Sequence, residues 1–507
     1  MEKDATEYQA EINHPWHLNH PLGLLENASD DVCLSCGELI EKEGKKKMCY
    51  GCYTCGDIIL HLDCAIKRPS PHVVDRPNTH EHPLTLLTTE VSFNCNACGT
   101  KGKVSPYVCL SCRFMIHRDC INLPRVICIN HHPHRLSHTL SLSSEKKLSC
   151  GVCHKDINSR YGAYLSTIDP DYVVHSRCAI RKDVWDDKEL KGVPEEETLP
   201  DPFNVTSEER IKHFCHEEHE LIRITDYADN DARCLACNLH VSPDPFYKCI
   251  QVNCGLFILH EKCANLPLEI RAPIHQHTLN LYYKEGNHFN CASCHHESNG
   301  FRYSCSRSEC EDLHWDTKCV SITVPSLYGG HGHILYSNSN YITCCGCDET
   351  KPTPLSCPEC NLGLCFACAT LPNRLRYEDD VHPLFLNHGG NSNGNLLEDL
   401  QQNYWCDSCE TQLDPLKYFY KCSTSCGTVI HTKCAIGGDL RNLRVGLAFN
   451  KGRYKYEVVP NDQVTRPRCG QCGHRGEGPS MFKCCSEDDQ NIVSYVCSFD
   501  CLKMLCR

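Results

Sequence analysis

A Cys-x-x-Cys pair begins at Cys33, Cys95, Cys150, Cys234, Cys291, Cys344, Cys406 and Cys469. Thiolate sulfur is both a nucleophile and a soft metal ligand, so such pairs serve either thiol–disulfide exchange or metal binding. Their surroundings point to metal. In the second repeat, His80 and His82 precede Cys95 and Cys98, and Cys109, Cys112, His117 and Cys120 follow. Three imidazoles and five thiols make eight ligands, the complement of two tetrahedral zinc ions. The same order recurs in the first repeat as His17, His20, Cys33, Cys36, Cys52, Cys55, His61 and Cys64. The fourth carries His216, His219, Cys234, Cys237, Cys249, Cys254, His260 and Cys263. The fifth reads as His275, His277, Cys291, Cys294, Cys305, Cys310, His314 and Cys319. One CxxC is weak evidence; this recurring order is specific.

The remaining repeats depart by degrees. The sixth has His331, His333, Cys344, Cys347, Cys357, Cys360 and Cys368, with Cys365 where the others carry histidine. Thiolate binds zinc well, so that site survives. The seventh has Cys406, Cys409, Cys422, Cys426, His431 and Cys434 but only His382 ahead of them, so His388 or a water is left to complete its second site. The third keeps Cys150, Cys153, His175 and Cys178 and lacks a second CxxC, which strands His134 and His138. The tail holds only Cys469, Cys472, Cys497 and Cys501. Counted as tetrahedral sites, these ligands hold about 13 to 14 zinc ions per chain. Cys49, Cys128, Cys215, Cys345, Cys484, Cys485 and Cys506 have no assigned partner and read as small buried side chains or spare thiols.

Two pairings of the eight ligands are possible. Sequential pairing joins HxH to the first CxxC and the second CxxC to HxxC; interleaved pairing exchanges the two CxxC elements. The third repeat completes one site either way. The tail favours interleaving, because sequential pairing strands Cys469 and Cys472.

Short elements must position these ligands. An aromatic stands two residues before the second cysteine pair at Tyr50, Tyr107, Tyr247, Tyr303 and Tyr420, in stretches that read as short strands, and its expected role is to fill a small core between the zincs. After the last ligand, Cys120-Ile121-Asn122-Leu123-Pro124 and Cys263-Ala264-Asn265-Leu266-Pro267 read as one helical turn stopped by proline. The expected fold is a tandem array of small zinc-stabilised β-rich modules, each with two short hairpins, a short helix and two zincs. Expected boundaries are 14–68, 78–125, 131–182 (a single zinc), 213–271, 273–325, 329–373 and 379–440, with a partial module at 458–507. The acidic, cysteine-free stretch 183–210 reads as a flexible linker.

Composition sets the wider limits. The chain has 507 residues, 45 Cys, 31 His, 41% apolar residues and a formal charge of −13. So much cysteine with so little conventional core requires cross-links or metals. The polar N-terminus, Met1-Glu2-Lys3-Asp4, shows no secretory signal, and no stretch is apolar enough to span a membrane. An intracellular, reducing location in the cytoplasm or nucleus is therefore expected, where such cysteines bind metal. The acidic balance argues against nucleic-acid binding. The one dense basic run, Lys45-Lys46-Lys47, reads as a solvated loop.

The HxHPL–CxxC–YxCxxC–HxxC order, with Val496-Cys497-Ser498-Phe499-Asp500-Cys501 at the end, resembles the plant cysteine/histidine-rich proteins built of divergent C-one domains, relatives of diacylglycerol-binding fingers. The resemblance implies a two-zinc β-rich fold with interleaved ligands and a role in intracellular signalling or stress response, and it brings an occasional attribution of protein-disulfide reductase activity. The expected function is a non-enzymatic scaffold whose partners are other proteins. Redox activity, as a disulfide reductase or a zinc-release thiol sensor, is the first alternative, although no thioredoxin-like pattern surrounds the CxxC pairs. Lipid binding is the second. Here the gap between cysteine pairs is short and polar, as in Gly99-Thr100-Lys101-Gly102-Lys103, where lipid-inserting relatives carry apolar loops. A ubiquitin-ligase or histone-reader finger lacks the leading HxH.

Overall fold

The structure is a computed structural model that describes residues 8–27, 31–35, 40, 47–56, 58–66, 73–76, 79–142, 147–194, 200–225, 232–241, 244–251, 254, 257–286, 288–322, 326–327, 331, 333–337, 341–352, 355–360, 362–377, 380–388, 404–424, 426–451, 454–461, 466–486 and 492–505. Two compact units result, Met1–Val193 and Pro194–Arg507.

In the first unit each repeat folds into a four-stranded antiparallel sheet whose strands follow chain order. The strands are Glu11–His14, His17–Asn27, Lys47–Gly51 and Ile59–His61 in the first repeat. In the second they are Val73–Val74, Leu84–Leu86, Tyr107–Cys109 and Met115–Ile116, with a separate hairpin of Glu90–Asn94 and Lys101–Val104. In the third they are Val126–Ile127, Leu136–Thr139, Ala163–Ser166 and Val173–His175. Register follows side-chain alternation: Leu84 lies opposite Cys109 and Leu86 opposite Tyr107, so leucines and the aromatic share the buried face with the first cysteine of the pair. Each core is small. The first consists of Leu22, Tyr50 and Leu60 with Cys33, Cys49, Cys52 and a few neighbours.

In the second unit the fourth repeat has five strands, because Phe203–Ser207 and Arg210–His213 form a hairpin at the edge of Leu221–Ile224, Phe246–Cys249 and Ile258–His260. The fifth uses Glu269–Ala272, His275–Tyr282, Arg302–Cys305 and His314–Asp316. The sixth uses Ser326–Leu327, Ile334–Ser337, Leu355–Ser356 and Gly363–Leu364. The seventh uses Arg374–Leu375, Leu384–Asn387, Phe419–Cys422 and Val429–His431. Short helical turns after the last strand carry the final cysteine, as in Glu261–Ala264 and Thr432–Ile436.

Two expectations are corrected. The stretch 183–210 is not a free linker, although 195–199 lie outside the described residues. Trp185 bridges to Ile129, Leu190 N–H donates to Val126 O (2.7 Å), and Val184 is fully buried. Phe203–Ser207 is the edge strand already noted. Acidic composition hides these apolar anchors. The C-terminal repeat is also complete in fold: Ala448–Lys451, Tyr454–Pro460, Ser480–Ser486 and Ile492–Val496 form the same four-stranded sheet, followed by the helix Phe499–Leu505.

The buried aromatic does more than fill space. Tyr164 OH donates to Pro124 O (2.7 Å), Tyr303 OH to Pro267 O (2.8 Å) and Tyr420 OH to Pro372 O (2.8 Å). In the first repeat Tyr50 OH donates to Gln9 O (2.7 Å). Each acceptor lies two residues before the first strand of its own sheet, so the hydroxyl ties the third strand to the entry of the first. At the same joints the preceding repeat's CxxC turn docks on the next sheet. Gly162 N–H donates to Asn96 O (2.7 Å), Phe301 N–H to Ala236 O (3.1 Å) and Tyr418 N–H to Gly346 O (3.3 Å). A Cβ at Gly162 or Gly300 would collide with the carbonyl of Ala97 or Ala236, which explains the glycines.

Candidate metal centres

The ligands gather in fours, and the grouping is interleaved. His80 and His82 meet Cys109 and Cys112, while Cys95 and Cys98 meet His117 and Cys120; His17, His20, Cys52 and Cys55 form one group, as do His216, His219, Cys249 and Cys254. In these groups all ligand atoms lie within 4.8 Å of one another; Cys150, Cys153, His175 and Cys178 form a fifth, and nine more groups exist among the described residues. Tetrahedral zinc with 2.0–2.3 Å bonds places its ligands about 3.3–3.8 Å apart. Observed separations match: His17 Nε2 to Cys52 Sγ is 3.2 Å, Cys55 Sγ to His20 Nδ1 3.3 Å and Cys98 Sγ to His117 Nδ1 3.4 Å. The donor set and spacing therefore fit zinc.

We call the group holding the first CxxC inner and the HxH group outer. Strand geometry defines the inner position. The residue ending the last strand of the sheet, or directly following it, donates its N–H to the first thiol in repeat after repeat: His61 to Cys33, His117 to Cys95, His175 to Cys150 and His260 to Cys234, each at 3.4 Å, and His431 to Cys406 at 3.5 Å. In the sixth repeat Cys365 N–H donates to Cys344 Sγ at 3.3 Å, which places the cysteine in the histidine's position beside Cys347 and Cys368. The residue after the CxxC pair is left-handed in most repeats, including His154, Asn238, His295, Asp348 and Glu410, and its N–H returns to the first cysteine's carbonyl at 2.8–2.9 Å. That turn points both sulfurs and nearby N–H groups at one centre. The second nitrogen of the histidine is held in turn, with His260 Nε2 2.9 Å from His240 O and His175 Nε2 3.3 Å from Asp156 O, as is usual around zinc.

The fifth repeat is a correction. Asp316, not His314, donates its N–H to Cys291 Sγ (3.4 Å), and its Oδ2 accepts from Cys294 Sγ at 3.2 Å. Its other oxygen caps the following helical turn by accepting from Cys319 N–H (2.9 Å). His314 stands two residues back, roughly 6–7 Å along the strand, with Nδ1 2.9 Å from Ser304 Oγ. The signal was the spacing, since Asp316-x2-Cys319 matches His117-x2-Cys120 and His314-x4-Cys319 does not. The inner group is thus Cys291, Cys294, Asp316 and Cys319. Burial pushes the Asp316 carboxyl up, and a bound cation would hold it ionised. In the outer group His277 Nδ1 lies 3.2 Å from His275 Nε2, 3.5 Å from Cys305 Sγ and 3.6 Å from Cys310 Sγ.

The seventh repeat follows the same logic. Asp380 occupies the first HxH position, with Oδ1 3.3 Å from His382 Nδ1 and Oδ2 accepting from Cys426 Sγ at 3.1 Å. His388 packs on the Tyr418 ring instead, with ring centroids 5.0 Å apart. Asp380, His382, Cys422 and Cys426 are therefore the outer set. In the sixth, His333 Nδ1 lies 3.1 Å from Cys360 and 3.7 Å from Cys357, with the His331 ring beside it.

In the third repeat the HxH pair is His132 and His134, not His134 and His138. His132 stacks on Tyr172 as His80 stacks on Phe114 and His216 on Phe257. Ser166 stands where Cys109 would, since Leu136 faces it as Leu84 faces Cys109. Ser166 Oγ sits 2.9 Å from His132 Nε2 and accepts from Asp169 N–H (3.1 Å), so hydrogen bonds close the vacated outer position. His138 lies 3.1 Å from both Ala97 O and Ser176 Oγ, and burial lowers its pKa to about 4.

In the first repeat, Cys36 and the run Lys45-Lys46 lie outside the described residues, as does Cys506. Cys33, His61 and Cys64 converge as the rest of that inner group. In the tail Cys472 Sγ is 3.6 Å from Cys497 Sγ, which is 3.8 Å from Cys501 Sγ, and Cys469 joins them. Tyr456, Phe482 and the buried Cys484 form the core of its sheet, with Phe449 packed against them. Of the other spare thiols, Cys215 lies 2.8 Å from His213 Nδ1 and Cys345 3.4 Å from Tyr418 OH. Cys178 holds the Cys150 thiol down at about 3 against the opposing effect of burial, and Cys434 does the same for Cys406, the proton-poor state that zinc requires.

A family model described as C1 domain matches residues 78–121, 130–179, 214–264 and 379–435, and one described as C1 domain-like, C-terminal, matches 456–502. The chain carries four C1 domains in tandem and a C-terminal C1-like domain. The first, fifth and sixth repeats lie outside the matched C1 residues yet share their strand order and interleaved ligands. No curated protein and no solved structure matched this C1 array. Among the described residues no helix is long and apolar enough to cross a membrane.

Proposed function

We propose that this zinc-binding, multi-module C1 protein is a non-enzymatic interaction scaffold that acts inside the cell, in cytoplasm or nucleus, in signalling or stress response. The observation behind the reading is that thiols and imidazoles, with two carboxylates, are gathered into groups whose ligand atoms lie within 4.8 Å of one another. Structural zinc is worth roughly 10–16 kcal/mol in finger peptides, enough to stand in for a conventional core. Tandem modules then present many loops whose joint engagement of a partner raises avidity. With the two aspartate-completed groups, the reading sets about 14 zincs per chain. The test captures proteins on the zinc-loaded chain before and after chelation, alongside a disulfide-reduction assay. The scaffold reading expects chelator-sensitive capture and no turnover. Catalytic reduction by the zinc-loaded chain would overturn it.

A second reading, zinc-release redox sensing, is favoured by exposure. Cys112, Cys360, Cys426 and Cys472 are exposed members of their groups, open to oxidants while the other thiols of each group are more buried. Oxidation with release of a minority of the zincs, these four thiols reacting first, is its expected signature.

A further inference from the structure

Within the second unit a cavity of about 400 Å³ opens where the fourth, fifth and seventh repeats converge. Its size falls in the range of small-molecule sites. Leu239, Leu266, Leu375 and Ile436 give it apolar walls. Six cations also line it, namely Arg233, Lys262, Lys318, Arg374, Arg376 and Arg441, against two carboxylates, Asp244 and Glu261. Glu261 is already held by Arg223 from outside the lining, through a two-point pair at 3.2 and 3.1 Å, and Asp244 by Arg374 at 3.0 Å. Among the lining's Lys, Arg, Asp and Glu side chains cations therefore predominate, in a chain whose formal charge is −13.

Two of these cations are held by neutral acceptors. Lys318 Nζ donates to Cys237 O (3.2 Å) and to Asn442 Oδ1. Arg441 is buried, with Nη1 donating to Ala367 O (2.8 Å) and Nη2 to Thr370 Oγ1 (2.7 Å), while its buried Nε has no acceptor. Among the described residues neither forms an ion pair. Lys318 is half-buried with Asp316, Cys237 and Cys319 as its negative neighbours, whereas the buried Arg441 keeps one N–H without an acceptor, and a carboxylate or phosphate relieves that cost through a charge-assisted hydrogen bond. We propose that this cavity binds a small organic anion, its apolar body against the leucines and its carboxylate or phosphate head among Lys318, Arg376 and Arg441.

The test is calorimetric titration of the full zinc-loaded chain with decanoate, decyl phosphate and decanol. The expected result is saturable one-to-one binding of at least one of the anions, with decanol at least tenfold weaker. Lys318→Gln combined with Arg376→Gln should weaken the anion tenfold or more at unchanged zinc content. Arg376→Gln alone, which breaks no structural hydrogen bond described above, should weaken it at least threefold. The proposal fails if neither anion saturates, if decanol binds within threefold of the better anion, or if Arg376→Gln binds like the parent chain.

Discussion

The hydroxyl of Tyr303 donates to the carbonyl of Pro267 at 2.8 Å, joining the third strand of the fifth repeat to the proline that closes the fourth. Tyr303→Phe keeps the ring and leaves that carbonyl unsatisfied, so it should cost about 1–2 kcal/mol. Hydrogen exchange at Glu269–Ala272 should accelerate accordingly. Tyr53→Phe, which removes an exposed hydroxyl bond to Leu24 O, is the control and should change exchange little.

Asp316 and His314 separate cleanly by metal count. Asp316→Ala should lower the zinc content by up to one ion per chain and loosen the fifth repeat, whereas His314→Ala should leave the count unchanged. Native mass spectrometry reads both. Loss of zinc on His314→Ala would reverse the assignment.

The seventh repeat offers a parallel test through a different position. Asp380→Ala should release or weaken one zinc, measured by competition with a chromogenic chelator, while His388→Ala should not. Asp380→His, which restores the HxH spelling, should bind that zinc at least as tightly.

In the third repeat the vacated outer position can be refilled. Ser166→Cys with Asp169→Cys places two thiols beside His132 and His134, and the double variant should gain one zinc per chain. Unchanged stoichiometry would show that the position has lost ligand geometry and not merely ligands.

Acid should weaken the fourth repeat through His213. The ring is buried, 3.2 Å from Ala264 O and 2.8 Å from Cys215 Sγ, and burial lowers its pKa to about 4. Unfolded histidine titrates near 6.5, so between these values the unfolded chain holds more protons. The neutral ring's contribution is full above about pH 6.5 and is lost as pH falls towards 4, on the order of 3 kcal/mol in all. With zinc in excess, His213→Gln should flatten the loss of stability between pH 6.5 and 5; equal slopes would remove His213 from the account.

Ligand order and β-rich repeats were legible because chemistry fixes them: eight ligands at HxH, CxxC, CxxC and HxxC spacing leave few arrangements, and the tail's four cysteines were enough to favour interleaving. The two missed ligands, Asp316 and Asp380, are both carboxylates. Asp316 and Asp380 keep the histidine's spacing under another residue name, so a search for Cys and His alone passed over them. The tyrosine hydroxyl bonds were hidden for another reason. Nothing local to Tyr164 or Tyr420 indicates that a proline carbonyl about 40 or more residues earlier will arrive beneath the ring; that is set by sheet order. The anchors Val184 and Leu190 were lost among surrounding acids.

The tyrosine–proline bond also bears on how such an array can change length. At three joints the third, fifth and seventh repeats complete their sheets with a carbonyl borrowed from the repeat before. A duplication that copied a lender and its borrower together would carry that bond within the copied segment. One that copied a borrower alone would set its hydroxyl against whichever backbone carbonyl then came two residues ahead of its first strand, as Gln9 does for Tyr50. A copied lender and borrower keep their joint, whereas a lone borrower has to make a new one.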